Sequence, residues 1–205
     1  MEHLTPAPDL HRPDLKIIAG IVQENAKVLD IGCGDGTLLE LLKSKGASCS
    51  GVELSQDGVN ECVRKGLAVI QGDADRDLDS YISGVFDWVI MSHAILSVED
   101  PVRALDRITA IGRGAIVSIH NFAHWKDRLN ILVGGRIPAA SPYLASWDTP
   151  GLVRRCSIKD FEDLCAARNL AIKQCIVLGE NGHPLNPRLP PNLFGRQAVF
   201  VLEHK

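Results

Sequence analysis

Residues 27–37 read K-V-L-D-I-G-C-G-D-G-T, and the change of residue type along that stretch decides the fold. Val28, Leu29 and Ile31 form a short apolar run with a β-branched bias, the composition of a strand buried on both faces. Gly32, Gly34 and Gly36 then allow a tight turn where a ligand can meet bare backbone. From Thr37 the period changes, with Leu38, Leu39, Leu41 and Leu42 at helical spacing. Strand, glycine turn and helix together make a nucleotide-type cradle, because the first amides of the helix point at whatever fills the turn.

The glycine spacing narrows the ligand. A dinucleotide turn has the pattern G-x-G-x-x-G. Counted from Gly32, its third glycine falls at position 37, which here is Thr37. The glycines run G-x-G-x-G instead, with Asp30 two residues ahead of them. A carboxylate at the mouth of the turn repels a diphosphate and suits a ligand carrying ammonium and sulfonium charges. Glu53 closes the next strand, where a carboxylate can accept hydrogen bonds from a ribose diol. D-x-G-x-G-x-G followed by that acid resembles the S-adenosylmethionine site of class I methyltransferases. The resemblance implies that S-adenosylmethionine or S-adenosylhomocysteine is held by Asp30, Gly32, Cys33, Gly34, Gly36, Glu53 and Leu54. It extends to Asp73 and Ala74 after the third strand, with Asp73 in the adenine-contacting place, and to Ser92 after the fourth. Asp73 also reads as a turn-forming aspartate, and position alone leaves both readings open.

Length and composition set the bounds. A chain of 205 residues suits one domain with a sizeable core, and 45% hydrophobic residues is ordinary for a soluble globular protein. No apolar run approaches the roughly 20 residues that span a bilayer. Residues 1–13 lack the cationic start and apolar block of a secretory signal and read as a loose arm ahead of a domain over 14–205. Six cysteines without a C-x-x-C pair read as reduced, mostly buried thiols of a cytoplasmic protein. A net charge of −3 without a basic run argues against nucleic acid as a partner.

Taken in order, Asp14 reads as the cap of a first helix with Leu15, Ile18, Ile21 and Val22 on its apolar face. The cradle follows. Residues 48–53 read as a second strand, and Ser55 caps a helix presenting Val59, Cys62 and Val63, stopped by Gly66. Strands are expected over 67–71, 86–91 and 115–119, with Asp100 and Pro101 opening a helix between the last two. Such alternation argues for a three-layer α/β/α sandwich around a mostly parallel, Rossmann-like sheet. Asp30, Glu53, Asp73, His93 and His120 then all fall at or just past strand ends, where ligands sit in such sheets. Further on, 129–133 reads as helix, Ser157 and Asp160 as a capping box opening a helix over 161–168, and 171–178 and 197–202 as strands. The stretch 180–195 is too proline-rich for an element interior. Seven strands with an antiparallel C-terminal strand are what the methyltransferase resemblance implies.

A narrower resemblance lies outside the cradle. V-L-D-I-G-C-G-D-G from Val28, F-D-W-V-I-M-S from Phe86, G-R-G-A-I-V-S from Gly112, N-F-A-H-W from Asn121, L-V-G-G-R-I-P from Leu132, W-D-T-P from Trp147, D-F-E-D-L-C from Asp160 and N-L-F-G from Asn192 stand in one order across the chain. Together they resemble the MetW family of methionine biosynthesis. The resemblance implies association with a homoserine O-acyltransferase of the MetX type; the alternative reading is an active methyltransferase with a small-molecule acceptor. The chain departs from the family pattern at His120, where a proline is usual, and in T-P-G-L-V-R-R-C-S from Thr149, where T-P-N-I-H-x-C-T is usual.

If methyl transfer from a protonated acceptor occurs, a general base is required. His93 and His120 are the candidates, on adjacent strands, with His124 a third; each also reads as a hydrogen-bonded structural histidine. His120 and His124 stand i, i+4, yet without H-E-x-x-H or a cysteine pair no metal is expected. Trp125 and Trp147 read as packing or lid residues, and the Cys33 side chain as directed away from the ligand.

Overall fold

The structure, a computed structural model, describes residues 12–135 and 154–204. Most of the N-terminal arm, Trp147 and the start of the divergent 149–157 loop lie outside the described residues. Helix α1 (Pro13–Ile21) leads into β1 (Lys27–Ile31), α2 (Thr37–Ser44), β2 (Ser48–Glu53), α3 (Gln56–Arg64) and β3 (Val69–Gln71). Then come the single turn α4 (Ala74–Asp77), β4 (Phe86–Ser92), α5 (Pro101–Ile111) and β5 (Gly112–His120). The chain continues through α6 (Trp125–Gly134), α7 (Ile158–Ala167), β6 (Leu170–Leu178), the turn α8 (Pro191–Phe194) and β7 (Gln197–His204).

The seven strands form one sheet in the order β3-β2-β1-β4-β5-β7-β6, and β7 alone runs antiparallel to its neighbours. The α/β sandwich with an antiparallel C-terminal strand is therefore as the sequence implies. Period-two alternation splits the core into two faces. Leu29, Val89 and Val117 pack under α5 through Leu105 and Ile108. Val28, Ile90 and Ile116 pack under α1 and α2 through Ile18, Leu38 and Leu42. The caps at Ser55 and Asp100 and the reciprocal box of Ser157 and Asp160 form as expected.

Several boundaries differ. Helix α1 starts at Pro13, whose missing N–H and fixed φ suit a first turn, so Asp14 lies inside the helix and is fully buried rather than capping it. Val63 is 60% exposed; Val59 and Cys62 are the buried residues of α3. Leu67 belongs to the close of α3, its N–H donating to the Cys62 carbonyl at 3.0 Å, so the strand begins later, at Val69. Strand β5 begins at Gly112 because two glycines are what its neighbour tolerates: a Cβ on Gly114 would stand 2.5 Å from the Trp88 ring. Helix α6 is longer than 129–133, α7 starts directly after its box, and prolines open the one helical turn of α8 within the 180–195 stretch.

Candidate functional site

The glycine turn follows β1, and its glycines do different work. Gly32 (φ +73°) admits the 3-10 turn Ala94–Leu96 against β1; a Cβ there would stand 2.7 Å from the Ala94 Cβ. Gly36 (φ +80°) admits α3, where a Cβ would meet the Cys62 sulfur at 2.8 Å. Both are required by the protein's own packing. Cys33 is buried with Leu39, Cys62 and Leu67 beneath the turn, and burial pushes its thiol up, which keeps it protonated and unreactive.

Beside the turn, at the carboxyl ends of β1 and β2, lies a cleft of about 320 Å³. Of the expected cofactor residues, Gly32, Glu53, Leu54, Asp73 and Ala74 line it; Ala94, Ser97 and Val98, carried by the segment after β4, were not legible in the sequence. Glu53 is anchored by two amides, Gly34 N–H donating to Oε2 at 2.9 Å and Ser55 N–H to Oε1 at 2.8 Å. Each carboxylate oxygen keeps a further lone pair. Asp73 caps α4 by accepting from Asp75 N–H at 2.9 Å, so its turn-forming role is realised, with the carboxylate at the cleft wall. Leu54 is 66% exposed, an apolar surface on an otherwise acidic rim.

Asp30, Cys33, Gly34, Gly36 and Ser92 do not line this cleft. Asp30 and Ser92 belong instead to a polar cluster on the α1 face of the sheet. At its centre Asp14 accepts from Arg12 Nε and Nη2 at 2.9 and 3.0 Å, from Ser92 Oγ at 2.9 Å and from Ser118 Oγ at 2.8 Å. Arg12 also donates to Ser92 Oγ. Burial pushes the Asp14 carboxyl up, but the neighbouring His93, the charge and hydrogen bonds of Arg12 and the Ser118 hydroxyl hold it well below the usual range. His93 Nε2 stands 3.7 Å from Asp14 Oδ2, and the His93 and His120 rings stack with centroids 4.1 Å apart. His93 Nε2 and both nitrogens of His120 are buried without a hydrogen-bond partner. Burial lowers the pKa of both rings, that of His120 to about 4, so the pair is neutral at physiological pH. His93 holds a left-handed backbone, φ +62°, between Ser92 of this cluster and Ala94 of the cleft wall.

The third histidine is elsewhere. His124 Nδ1 accepts from Lys126 N–H at 3.4 Å at the start of α6, and Trp125 beside it is 40% exposed. Among the described residues no group of three or more His, Cys, Asp or Glu could hold a metal ion. N-F-A-H-W and N-L-F-G meet in space: Asn121 Nδ2 donates to the Asn192 and Gly195 carbonyls at 3.1 and 2.7 Å. Arg196 pairs with buried Asp127 at 2.5 Å, closing the same joint.

Sequence comparison then decides the family. The family model described as methionine biosynthesis protein MetW matches residues 12–202. The chain belongs to the MetW family. A curated relative, the bifunctional methionine biosynthesis protein MetXA/MetW of Rhodopirellula baltica, is 29% identical over 203 residues, covering 94% of this chain. The chain spans only a third (33%) of that relative's length. Solved structures agree on the fold. A methyltransferase of Thermotoga maritima, described as a possible histamine N-methyltransferase, superposes with a TM-score of 0.68 at 19% identity over 94% of this chain and 88% of its own. Magnesium protoporphyrin IX methyltransferase of Synechocystis, solved with bound S-adenosylhomocysteine, gives 0.67 at 14% identity over 95% and 84%. The MetW chain described here thus has the class I methyltransferase fold. Among its described residues no helix is long and apolar enough to cross a membrane.

Proposed function

We propose that this chain binds S-adenosylmethionine in the cleft beside the glycine turn and serves methionine biosynthesis together with a MetX-type homoserine O-acyltransferase. The observation that carries the cofactor reading is the lining of the cleft. Glu53 offers two anchored carboxylate oxygens for a ribose diol, Asp73 an acceptor for an exocyclic amine, and Leu54 an apolar surface for a base. A volume of about 320 Å³ is at the lower end of small-ligand sites. The acids Glu53, Asp73 and Asp75 on its wall oppose a diphosphate. When bound, the cofactor supplies a methyl group on a cationic sulfur. Calorimetry with S-adenosylmethionine and with NAD tests this: saturable heat with the first only is expected, and heat with NAD, or none with millimolar S-adenosylmethionine, overturns it.

The partner reading is supported by the Rhodopirellula relative, whose single chain bears both the MetXA and MetW names. Helix α6 offers a surface for it. Trp125, Leu129, Leu132 and Val133 recur along the helix at 40%, 48%, 83% and 78% exposure, an apolar stripe of the kind that marks association. Co-purification and an acyltransferase assay with and without this chain test the pairing; no association and an unchanged rate would sink it. Leu132→Glu is expected to abolish association while leaving cofactor affinity unchanged.

A second reading, methyl transfer to a small-molecule acceptor, draws on the His93–His120 pair. Both rings are neutral and carry unpartnered nitrogens beside the cleft wall, so either can take a proton, with Asp14 stabilising an imidazolium at His93. Steady formation of S-adenosylhomocysteine with a defined acceptor, lost in His93→Gln, would establish it; its absence across acceptors leaves the accessory role.

A further inference from the structure

Strand β2 is six residues long and its outer neighbour β3 only three. Towards β1, residues 48–52 are all paired, whereas towards β3 pairing begins at Gly51, opposite Val69. The cause lies in the chain ahead of β3. Gly66 takes a left-handed turn (φ +66°) after α3, and the Leu67 N–H donates back to the Cys62 carbonyl, so Leu67 closes α3 instead of extending β3. The amino half of β2 is left without an outer neighbour, and a hollow of about 240 Å³ lies there against the end of α2. It shares no lining residue with the cleft beside the glycine turn.

The wall of this hollow is apolar with one charge. Leu39, Ala47, Cys49, Leu67 and Ala68 supply carbon and sulfur surface, and Lys43 is the charged residue among the lining. Leu39 and Leu67 are buried and pack with Cys33 and Cys62 beneath the glycine turn, so two walls are fixed by the protein's own core. Burial pushes the Cys49 thiol up to about 11, which keeps it neutral. The carbonyls that close both helices are engaged: Leu42 and Lys43 accept from Ala47 and Gly46, and Cys62 and Val63 from Leu67 and Gly66. Lys43 Nζ donates to the Gly66 carbonyl at 3.0 Å, tying α2 to the close of α3. An ammonium carries three donors, and this bond uses one. Glu40, one turn back on α2, is held by Lys65 at 3.0 Å, and among the described residues Lys43 forms no ion pair.

Charge and lining together select the guest. The cleft at the strand ends presents Glu53, Asp73 and Asp75; this hollow presents a cation and no acid, in a chain of net charge −3. We propose that the hollow beside β2 is a second ligand site, taking a short aliphatic monocarboxylate whose chain lies on Leu39 and Leu67 and whose carboxylate meets the Lys43 ammonium. A volume of about 240 Å³ lies below that of drug-sized sites, which suits a chain of a few carbons. An α-amino acid is disfavoured, because no carboxylate lines the hollow to meet its ammonium.

Amide chemical shifts of the isotope-labelled whole chain, followed on titration with pentanoate, pentanamide and pentylamine, test it. Pentanoate is expected to move Cys49, Gly66, Leu67 and Ala68 saturably, with Glu53, Leu54 and Asp73 unmoved. Pentanamide is expected to bind about fivefold more weakly and the cationic amine not at all, and the pentanoate affinity alone falls as salt is raised. Lys43→Met is expected to bring pentanoate down to the pentanamide level, and Ala68→Leu, which fills the hollow, to abolish binding of both. Lys43 and Ala68 are exposed, so neither change touches the core. The inference is overturned by the absence of a saturable shift with pentanoate, by shifts at Glu53, Leu54 and Asp73 instead, or by equal affinity for pentanoate and either of the other probes. Pentanoate affinity undiminished in either variant overturns it as well. None of these outcomes bears on the cofactor reading, whose residues the hollow does not share.

Discussion

Two aspartates lie buried on the same face of one sheet and behave in opposite ways. Asp14, carried by the first turn of α1, is wholly inaccessible and receives four hydrogen bonds from Arg12, Ser92 and Ser118. Asp30, carried by β1, is almost as inaccessible and leaves one oxygen without a donor. The first is held ionised; the second is raised to about 7. Burial pushes both carboxyls upward, so the charges and donors that face each one decide the outcome. A satisfied buried acid is structural glue, whereas an unsatisfied one is pushed towards its neutral form.

Breaking the satisfied member has the largest effect. Asp14→Ala removes the carboxylate that accepts two hydrogen bonds from Arg12 and one each from the Ser92 and Ser118 hydroxyls, all in a buried cluster. It is expected to cost about 3–5 kcal/mol in urea unfolding. The same carboxyl sets acid stability. Its folded pKa lies below the ordinary aspartate value of 3.8, so its contribution is complete above that value and is lost as pH falls below it. The wild type should therefore lose more stability below about pH 4 than Asp14→Asn does.

The unsatisfied member has the opposite sign. Because the folded pKa of Asp30 is raised from 3.8 to about 7, the folded state keeps a proton that the unfolded chain releases across that window. Its penalty is absent below the window and complete above about pH 7. Asp30→Asn should therefore match the wild type at about pH 4 and exceed it by about 1–3 kcal/mol at pH 8, read from urea midpoints. A wild type whose stability rose relative to Asp30→Asn between those pH values would contradict the assignment. Ser118→Ala, which removes one of the four donors to Asp14, is the finest probe, expected to cost about 1 kcal/mol.

The parts of the site that depend on local chain chemistry were legible in the sequence. Glu53 closes β2, Asp73 follows the end of β3 by two residues, and both stand on the cleft wall. Asp14 was not legible. An aspartate after proline at a helix start reads as a cap, and nothing in its neighbourhood reveals that Ser118, 104 residues away, supplies a hydrogen bond. The glycines were half legible. Their spacing marks the turn, but that Gly32 yields to Ala94 and Gly36 to Cys62 follows from what the turn packs against. Ala94, Ser97 and Val98 carry no signal at all; an alanine, a serine and a valine after a strand become cleft wall only because β4 lies beside β1.

By itself, then, the order of residues settled the alternation of strand and helix, the turn that excludes a dinucleotide pattern and the family to which the chain belongs, because each is written in periodicity, spacing or short motifs. Tertiary structure alone decided the charge state of the buried acids, the stacking of His93 on His120 and the joint between N-F-A-H-W and N-L-F-G. Those properties arise from desolvation and from donors brought together by strand pairing, and neither has a representation along the chain.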